Sequence, residues 1–338
     1  MTTKRKSESK TYNYIAVGVK GHKCDDSSYA RPLINILSTE VVDDPEVKPK
    51  VDQAQTGTSS LSFDDYEEIV GGAPAFEDKL RFCEGFEELL YGLLGNCNNK
   101  VPYTKDGQVV PNVFKYTFDS PVGLPSYLPP FTIWHGFSMT KNDGYCWNNA
   151  MLNTYELTTS QNELPTICYK FASDYKETNF PNPPRLFPTI QDKEIRRGEN
   201  VTWYIGSNNA TEYDMLNNPI TSLTKGTFII NNNINKRKAK GSLTIKDNDF
   251  YKHDSMCHAQ LWCKIESDSM MPDTTVPYSV LYKFPDVDIK KVDNSSERDY
   301  EFSVNETAFE SFMTAEVITD LYALRIDEKC ITKGEILE

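Results

Sequence analysis

The chain has 338 residues, enough for two domains or for one large β-rich domain. Its 36 basic and 49 acidic residues give a net charge of -13, which argues against a protein that wraps nucleic acid, because phosphate binding needs a basic surface. No apolar run approaches the ~20 residues of a membrane span, and the first residues are polar. We therefore expect a chain that stays soluble where it is made and has no membrane partner.

The first predicted elements, in chain order, are a polar arm over residues 1–12 and two strands with alternating apolar residues at 14–19 and 33–42. The polar segment 43–63 predicts a long structureless loop. Loops of about 20 residues are rare in compact domains and usually carry a function or an interface. A strand predicted at 77–83 leads into a helix.

This helix, predicted over residues 85–95, is the clearest single element. Its apolar residues recur at i, i+3, i+4, i+7 and i+8 and form one stripe: Phe86, Leu89, Leu90, Leu93 and Leu94. Acidic residues occupy the first turn, where the helix dipole favours negative charge, and Gly95 follows the stripe as a candidate left-handed terminus. Leu90 and Leu93 should therefore hold the helix against a sheet.

The rest of the chain is predicted as strands separated by irregular segments. Residues 96–130 are rich in Pro, Gly and Tyr and predict an irregular excursion, and 306–324 predict a helix, with a strand left open by the Thr and Val content. The basic runs 4–6 and 236–240 are interpreted as a solvated arm and a hairpin tip, or as contacts between subunits. Strands are predicted at 131–139, 151–160, 164–172, 200–205, 222–231, 241–246, 279–284 and 300–304.

A run of prolines over residues 181–188 predicts a boundary between two domains. The expected organisation is a first β-sandwich domain over 13–180, a second β-rich domain or decoration over 189–324, and a charged tail over 325–338.

A weak internal echo links the two halves of the chain. The strand and helix at 79–95 match a strand at 242–245 followed by a predicted helix at 250–264, and the sequence 168–174 resembles 281–286. Two interpretations stay open, a chance similarity between β domains or a duplicated domain.

Four residues form the best candidate for a metal site: His253, Cys257, His258 and Cys263. Zinc ligands usually occur as C-x(2–4)-C and H-x(3–5)-H pairs from separate turns, and this spacing departs from that pattern. Cys257 and Cys263 would not converge easily. The eight cysteines of the chain are scattered, without any Cys-x-x-Cys. The preferred interpretation is therefore buried, reduced thiols with surface histidines, and neither a metal nor a cofactor.

No pattern in the sequence indicates a catalytic site, so we expect a protein that is not an enzyme. Cys146 and His135 would make a nucleophile pair, but no local signature supports them. The acidic pairs 64–65 and 67–68 would serve as glycosidase carboxylates only if a cleft brought them together, and solvated acidic turns are more common. Gly-x-Gly-x-x-Gly, Walker and Gly-x-Ser-x-Gly motifs are absent from the sequence.

One family resemblance emerges. The sequence of residues 79–95, Lys-Leu-Arg-Phe-Cys-Glu-Gly-Phe-Glu-Glu-Leu-Leu-Tyr-Gly-Leu-Leu-Gly, resembles the strand-to-helix unit ending in Leu-Gly of tail tube proteins of long-tailed bacteriophages. The early strands and the long polar loop precede it in the same order, and 131–137 and 221–233 resemble later strands of larger members. The similarity lies in layout, extends loosely over 12–310, and departs from the family at 96–130 and in the tail.

The resemblance implies a mainly β protein, an antiparallel β-sandwich or barrel with one flanking helix and long inter-subunit loops. Rings of protomers would stack into the hollow tube of the virion tail, assembled in the host cytoplasm, which conducts the genome during ejection. Implied partners are further copies of the chain, the tape measure protein, the tail terminator and baseplate or tail-tip proteins. DNA would pass without specific binding, which suits an acidic protomer.

The ring is expected to contain six chains, or three with pseudo-sixfold symmetry if the echo is a true duplication. The alternative function is a β-rich virion binding module for a host receptor or a carbohydrate, which the Tyr, Trp and Asn content would suit.

Overall fold

The computed structural model describes residues 14–19, 31–32, 41–42, 47–51, 65–69, 75–82, 86–98, 101–120, 128–136, 144–172, 175–178, 197–233, 236–246, 255–292, 298–305 and 312–320. In these residues the chain is almost entirely antiparallel β-structure with two helices, which confirms the predicted mainly β fold. The predicted arm 1–12 and tail 325–338 lie outside the described residues.

The elements, in chain order, are β1 (Tyr14–Val19), β2 (Arg31–Pro32), β3 (Val41–Val42), β4 (Val47–Val51), β5 (Asp65–Ile69), β6 (Ala75–Lys79), α1 (Phe86–Leu94), β7 (Asn96–Cys97), β8 (Val101–Lys105), β9 (Gln108–Asp119), β10 (Phe131–Gly136), β11 (Gly144–Ser160), β12 (Thr166–Ala172), β13 (Tyr175–Thr178), β14 (Gly198–Ser207), α2 (Glu212–Leu216), β15 (Leu223–Asn233), β16 (Lys236–Ile245), β17 (Ser255–Met270), β18 (Pro277–Lys291), β19 (Arg298–Val304) and β20 (Thr314–Asp320).

Nine of these strands form a closed ring, which we call the strand ring. The order is β11, β12, β6, β14, β17, β18, β19, β16, β15 and back to β11, and each strand pairs with the next except β6 and β14, which meet only through residues next to them. The junction of β6 and β14 is the thinnest, a bridge between Arg81 and Arg197 and a hydrogen bond of 3.1 Å from the amide of Gly198 to the carbonyl of Leu80. Closure removes edges that would otherwise invite pairing with other chains.

Aromatic side chains from opposite sides of the strand ring fill its interior. The hydroxyls of Tyr155 and Tyr282 share a hydrogen bond of 2.5 Å, and the ring of Phe228 packs against both tyrosines. Burial raises the pKa of both tyrosine hydroxyls, which keeps the pair neutral. The indole of Trp203 donates a hydrogen bond of 3.0 Å to Thr159 Oγ1, which satisfies this buried donor in place.

Helix α1 confirms the prediction over 85–95 and is one residue shorter at each end. The whole apolar stripe is buried, and the helix contacts β1, β9, β11 and β20. The side-chain amide of Asn232 donates hydrogen bonds of 3.1 Å to the carbonyls of Leu93 and Leu152, which joins the helix to the strand ring. Gly95 has a φ of 93°, and its amide bonds the carbonyl of Tyr91, as expected for a left-handed terminus.

The prediction of an irregular excursion over 96–130 is wrong. Strands β8 and β9 form a hairpin whose turn is Asp106 and Gly107, both with positive φ, and β9 also pairs with β20. Asp-Gly favours this turn because its two residues tolerate left-handed backbone. Pro102 and Pro111 were treated as breakers, but proline is accepted on strands with an unpaired edge.

Three further predictions are corrected. Part of the supposed loop 43–63 is strand β4, which pairs with β5. Residues 314–320 of the predicted helix 306–324 form β20, and 255–264 of the predicted helix 250–264 belong to β17. In each case pairing with neighbouring strands outweighs a weak local preference for a loop or a helix. The helix predicted at 250–264 as the counterpart of the helix at 85–95 is therefore absent over 255–264. This similarity between the two halves no longer supports a ring of three chains.

Of the other predicted strands, 33–42 is found only at Val41–Val42, because 33–40 lie outside the described residues, and the rest overlap with strands, several of which extend further than predicted. The supposed hairpin tip 236–240 lies entirely within β16 and pairs with β15, and Lys236 opposite Asn233 begins the strand next to the connection 234–235, which lies outside the described residues. The proposed boundary at 181–188 lies outside the described residues, so the division into 13–180 and 189–324 stays a prediction. On either side of it, β11 pairs with β15 and β9 with β20, and one buried core contains residues from both halves.

Substitution of Leu90 by Ala should lower the free energy of unfolding by ~2–5 kcal/mol, because Leu90 is fully buried and the truncation leaves a cavity. Chemical denaturation measures this change. Leu216→Ala is the control, since Leu216 lies on α2 and is 40% exposed, and it should change stability by less than about 1 kcal/mol. Equal effects of the two substitutions would contradict the assignment of α1 to the core.

Candidate functional site

The four residues of the predicted metal cluster do not form one site. Cys263 is fully buried inside the strand ring, opposite Tyr282 and Trp203 in the strand register, and burial raises the pKa of its thiol. Cys257 and His258 are exposed, and His253 lies outside the described residues. A thiol inside the ring cannot meet ligands on its surface. Cys263 is a buried thiol and His258 a surface histidine, as the preferred interpretation expects, whereas the exposed Cys257 departs from it.

Strand β18 creates an unusual place in the sheet because its neighbour on one edge changes along its length. Residues 279–283 pair with β20 and residues 287–291 pair with β19, while β17 runs along the opposite edge. Between these two ladders lie Phe284, Pro285 and Asp286. Proline has no amide hydrogen to donate, so it is well suited to this gap between ladders. We call this position the sheet fork.

The register of β17 and β18 also shifts at the sheet fork. Leu261 pairs with Phe284 and Ala259 with Val287, so that two residues of β18 face one of β17. The next register pair, Met256 with Ile289, reverses the imbalance. Bulges of this kind re-aim side chains and are frequent at functional positions.

These bulges bring His258, Asp286 and Asp288 together on the outer surface. The Nδ1 of His258 lies 3.0 and 3.1 Å from the two carboxylate oxygens of Asp286, and the backbone amide of His258 donates a hydrogen bond of 3.1 Å to Asp288 Oδ1. The side-chain amide of Asn305 donates a bond of 3.0 Å to Asp286 Oδ1. Potential ligand atoms of the three titratable residues all lie within 4.8 Å of one another. We call these three residues the fork cluster.

Electrostatics in the fork cluster favour a protonated imidazole. The hydrogen bond to Asp286 raises the pKa of His258 above its usual 6.5, and the charges of Asp286 and Asp288 act in the same direction. His258 has a φ of 57°, a left-handed conformation that histidine adopts more readily than most residues with a side chain. The imidazole is thus hydrogen-bonded to the carboxylate of Asp286, while Asp288 is bonded to the backbone of the same histidine.

An open groove of about 630 Å³ adjoins the fork cluster. Asp288 and Cys257 belong to its wall, together with residues of β15, β16 and β19. Lys240, Lys290 and Glu301 give the wall charges of both signs. The fork cluster is therefore accessible to small solutes from the side of this groove.

A second open groove, of about 690 Å³, has polar side chains from the β11–β12 turn, β14 and the segment after α2 along its wall. Trp203 lies beneath this groove but is only 1% exposed, because its ring packs against Phe228 and Phe302 inside the strand ring. Aromatic stacking on a sugar needs an exposed ring face. Trp203 offers none.

The β8–β9 hairpin forms an exposed projection over residues 101–112, which we call the hairpin arm. β20 pairs with β9 only from Val113 onward, so within the described residues both outer edges of the hairpin arm lack a paired strand. Val101 and Val109 are 54% and 62% exposed, among the most exposed large apolar residues in the described part of the chain. An isolated two-stranded hairpin is marginal in water, which makes this arm a candidate interface.

The structure describes the backbone of the candidate catalytic residues except that of Asp64. In the β10–β11 ladder, His135 pairs with Tyr145 and Cys146 with Trp134, so they occupy neighbouring register positions; their side chains are outside the described ones. Asp65, Glu67 and Glu68 lie on β5 and pair with β4, while Asp64 is not among the described residues. The sequence analysis named His258 but missed Asp286 and Asp288. The sequence Asp-Val-Asp directly after Pro285 is the feature that could have pointed to these two carboxylates.

The sequence matches no protein-family model, and no curated protein is significantly similar to it. Neither described helix is long and apolar enough to cross a membrane.

Replacing Asp286 by Asn should lower the pKa of His258 toward 6.5, since it removes the main carboxylate partner while keeping the amide oxygen for Asn305. A folded-state pKa above the unfolded one means that the pair contributes stability below about pH 6.5 and loses it as pH rises through the folded pKa. Titration of the imidazole signals by NMR, in the presence of a chelator, measures the shift. Asp273→Asn, at an exposed turn, is the control, and an unchanged His258 pKa in the Asp286 variant would refute the pairing.

Proposed function

We propose that the chain is a structural virion protein that assembles into stacked rings and so forms the hollow tail tube of a long-tailed phage. The observation that carries the proposal is the hairpin arm, a projection with open edges and exposed valines that is joined to β18 of the strand ring through β9 and β20. The resemblance of residues 79–95 to the family's strand-to-helix unit, now seen as β6 leading to α1, supports it.

The hairpin arm gives assembly a physical basis. Its edges carry backbone donors and acceptors that another copy's sheet edge satisfies by strand addition. Association would also cover Val101 and Val109, whose apolar area favours burial. A repeated contact between unlike surfaces of identical chains closes into a ring when the rotation permits and extends into a filament otherwise.

The proposal also concerns the contact with DNA, the number of chains per ring and the partners in the virion. The net charge of -13 per chain disfavours adsorption of phosphates, so the genome passes through without specific binding. Six chains per ring are favoured, because the other strand followed by a helix among the described residues, β14 with α2, ends in a helix of five residues that buries only Met215 and lacks the apolar stripe of α1. The tape measure protein, the tail terminator and the baseplate or tail-tip proteins would be its partners in the virion, and the chain would act without catalysis.

The alternative, a binding module for a receptor or a carbohydrate, has less support from the surface. The larger of the two open grooves described above, the one along β14, has polar walls but buries its tryptophan. Sugar recognition by stacking has no aromatic face there. Within the described residues, neither groove offers this alternative a specific observation in its favour.

Val109→Lys should abolish assembly, because it places a charge in the contact that the hairpin arm forms. Electron microscopy of the purified chain should show rings or tubes of uniform width for the unaltered protein and none for the variant, and native mass spectrometry should give six chains per ring. Val292→Lys is the matched control, since Val292 is 52% exposed but lies at the end of β18.

Both substitutions should leave the unfolding free energy within about 0.5 kcal/mol of the original, as expected for exposed positions. Assembly by the Val109 variant would remove the hairpin arm from the proposal. An unaltered chain that stays monomeric at high concentration, or forms discrete trimers retained by glycans, would contradict the tube and favour the binding module.

A further inference from the structure

We propose that the fork cluster, His258 with Asp286 and Asp288, is a binding site for a divalent transition-metal ion of the zinc or manganese type. This inference is independent of the tube, because it rests only on the surface of β17 and β18. The ligand set differs from the sequence-predicted one, of which it retains only His258.

The distances between His258 and Asp286 suit two ligands of one ion, and the ligand atom of Asp288 lies within 4.8 Å of theirs. Two ligands that bind one ion at right angles, each at about 2.1 Å, are about 3.0 Å apart. The Nδ1 of His258 lies 3.0 and 3.1 Å from the carboxylate oxygens of Asp286. An ion can therefore replace the shared proton between them with only small side-chain movements.

The chemistry of the donors selects the kind of ion. One imidazole nitrogen with two carboxylates suits zinc and manganese, whereas calcium and magnesium prefer oxygen ligands alone. Three protein ligands leave further coordination positions, which water fills on the side of the adjoining groove. The two carboxylates carry two negative charges, which neutralise the charge of a divalent ion. The neutral imidazole adds a nitrogen ligand, which carboxylates alone would not provide.

The protein holds these ligands in position from outside the metal shell. Asn305 donates to Asp286 Oδ1 and also bonds its backbone carbonyl through its own amide at 2.9 Å. The backbone amide of His258 binds Asp288 Oδ1, which leaves the second oxygen of Asp288 available for an ion. Such supporting bonds orient metal ligands and strengthen binding.

An exposed histidine–carboxylate pair is the simpler interpretation, and on its own it contributes little to stability. A simple pair, however, needs neither the second carboxylate nor the two opposed bulges that bring three ligands from two strands together. The difference between the interpretations is measurable, since only a metal site gives saturable binding that depends on both Asp288 and His258.

The test uses the full-length chain after chelator treatment and removal of the chelator. Titration with Mn²⁺, followed by the electron paramagnetic resonance of the free ion, should show one ion bound per chain and its displacement by Zn²⁺, which binds such donors more tightly. Mn²⁺ is the first probe because thiolates bind it poorly, so the eight cysteines contribute little. Binding should also raise the thermal midpoint of unfolding.

His258→Asn and Asp288→Asn should each weaken Mn²⁺ binding by about tenfold or more. Asparagine at 258 tolerates the left-handed backbone, so the bulge survives. Asp273→Asn, with the same loss of charge at a left-handed position in the β17–β18 turn, and Cys257→Ser, beside the site, should bind as the unaltered chain does. Absence of saturable binding, or equal loss in the control variants, would overturn the site.

A second measurement keeps the test decisive if a variant fails to fold. The chain has four histidines, and Mn²⁺ broadens the NMR signals of nearby protons. In the unaltered protein the imidazole signals of His258 should broaden at the lowest Mn²⁺ concentration. Earlier broadening of another histidine, or broadening of all four together, would indicate adventitious ions only and refute the proposal.

Discussion

The structure depends on one strand, β18, which belongs to three ladders because one of its edges pairs with two different strands. Along one edge it stays paired with β17, and along the other it exchanges β20 for β19 at Pro285. That exchange lets the chain close the strand ring through β19 and still extend a second branch through β20 to β9. The hairpin arm and the fork cluster both follow from it, the first as the far end of this branch and the second as the surface of the fork.

The interior explains why the fork is tolerated. Val287 and Ile289 are buried on the inner face, whereas Asp286 and Asp288 alternate with them on the outer face. The bulges thus disturb the ladder while the inward pattern of the strand continues. Next to the fork, Phe284 packs its ring against those of Phe228 and Phe302, so apolar contacts on the inner side stabilise a strand that lacks some of its backbone partners.

Elements with a local sequence pattern could be predicted from the sequence, whereas elements whose conformation depends on pairing with distant strands could not. Helix α1 could be predicted because its stripe and its Gly95 terminus lie within ten residues. Helix α2 was missed although Thr211 and Asp214 form a capping box. Strands β17 and β20 could not be separated from helices, since their conformation is imposed by neighbours far along the chain. For the same reason the sequence led to His258 but not to Asp286, whose proximity depends on the β17–β18 register.

The thin junction of the strand ring shows how closure is achieved with few backbone bonds. Between β6 and β14 a bridge and one hydrogen bond replace a full ladder. Gly198 sits at this seam, where a Cβ would come within 2.6 and 2.7 Å of Ile265 and Leu80, so the absence of a side chain lets these two residues close over the backbone. Apolar packing rather than hydrogen bonding therefore completes the ring. That packing faces inward, whereas the fork cluster lies on the outer surface and the hairpin arm extends from β9, so neither of them forms part of the seam.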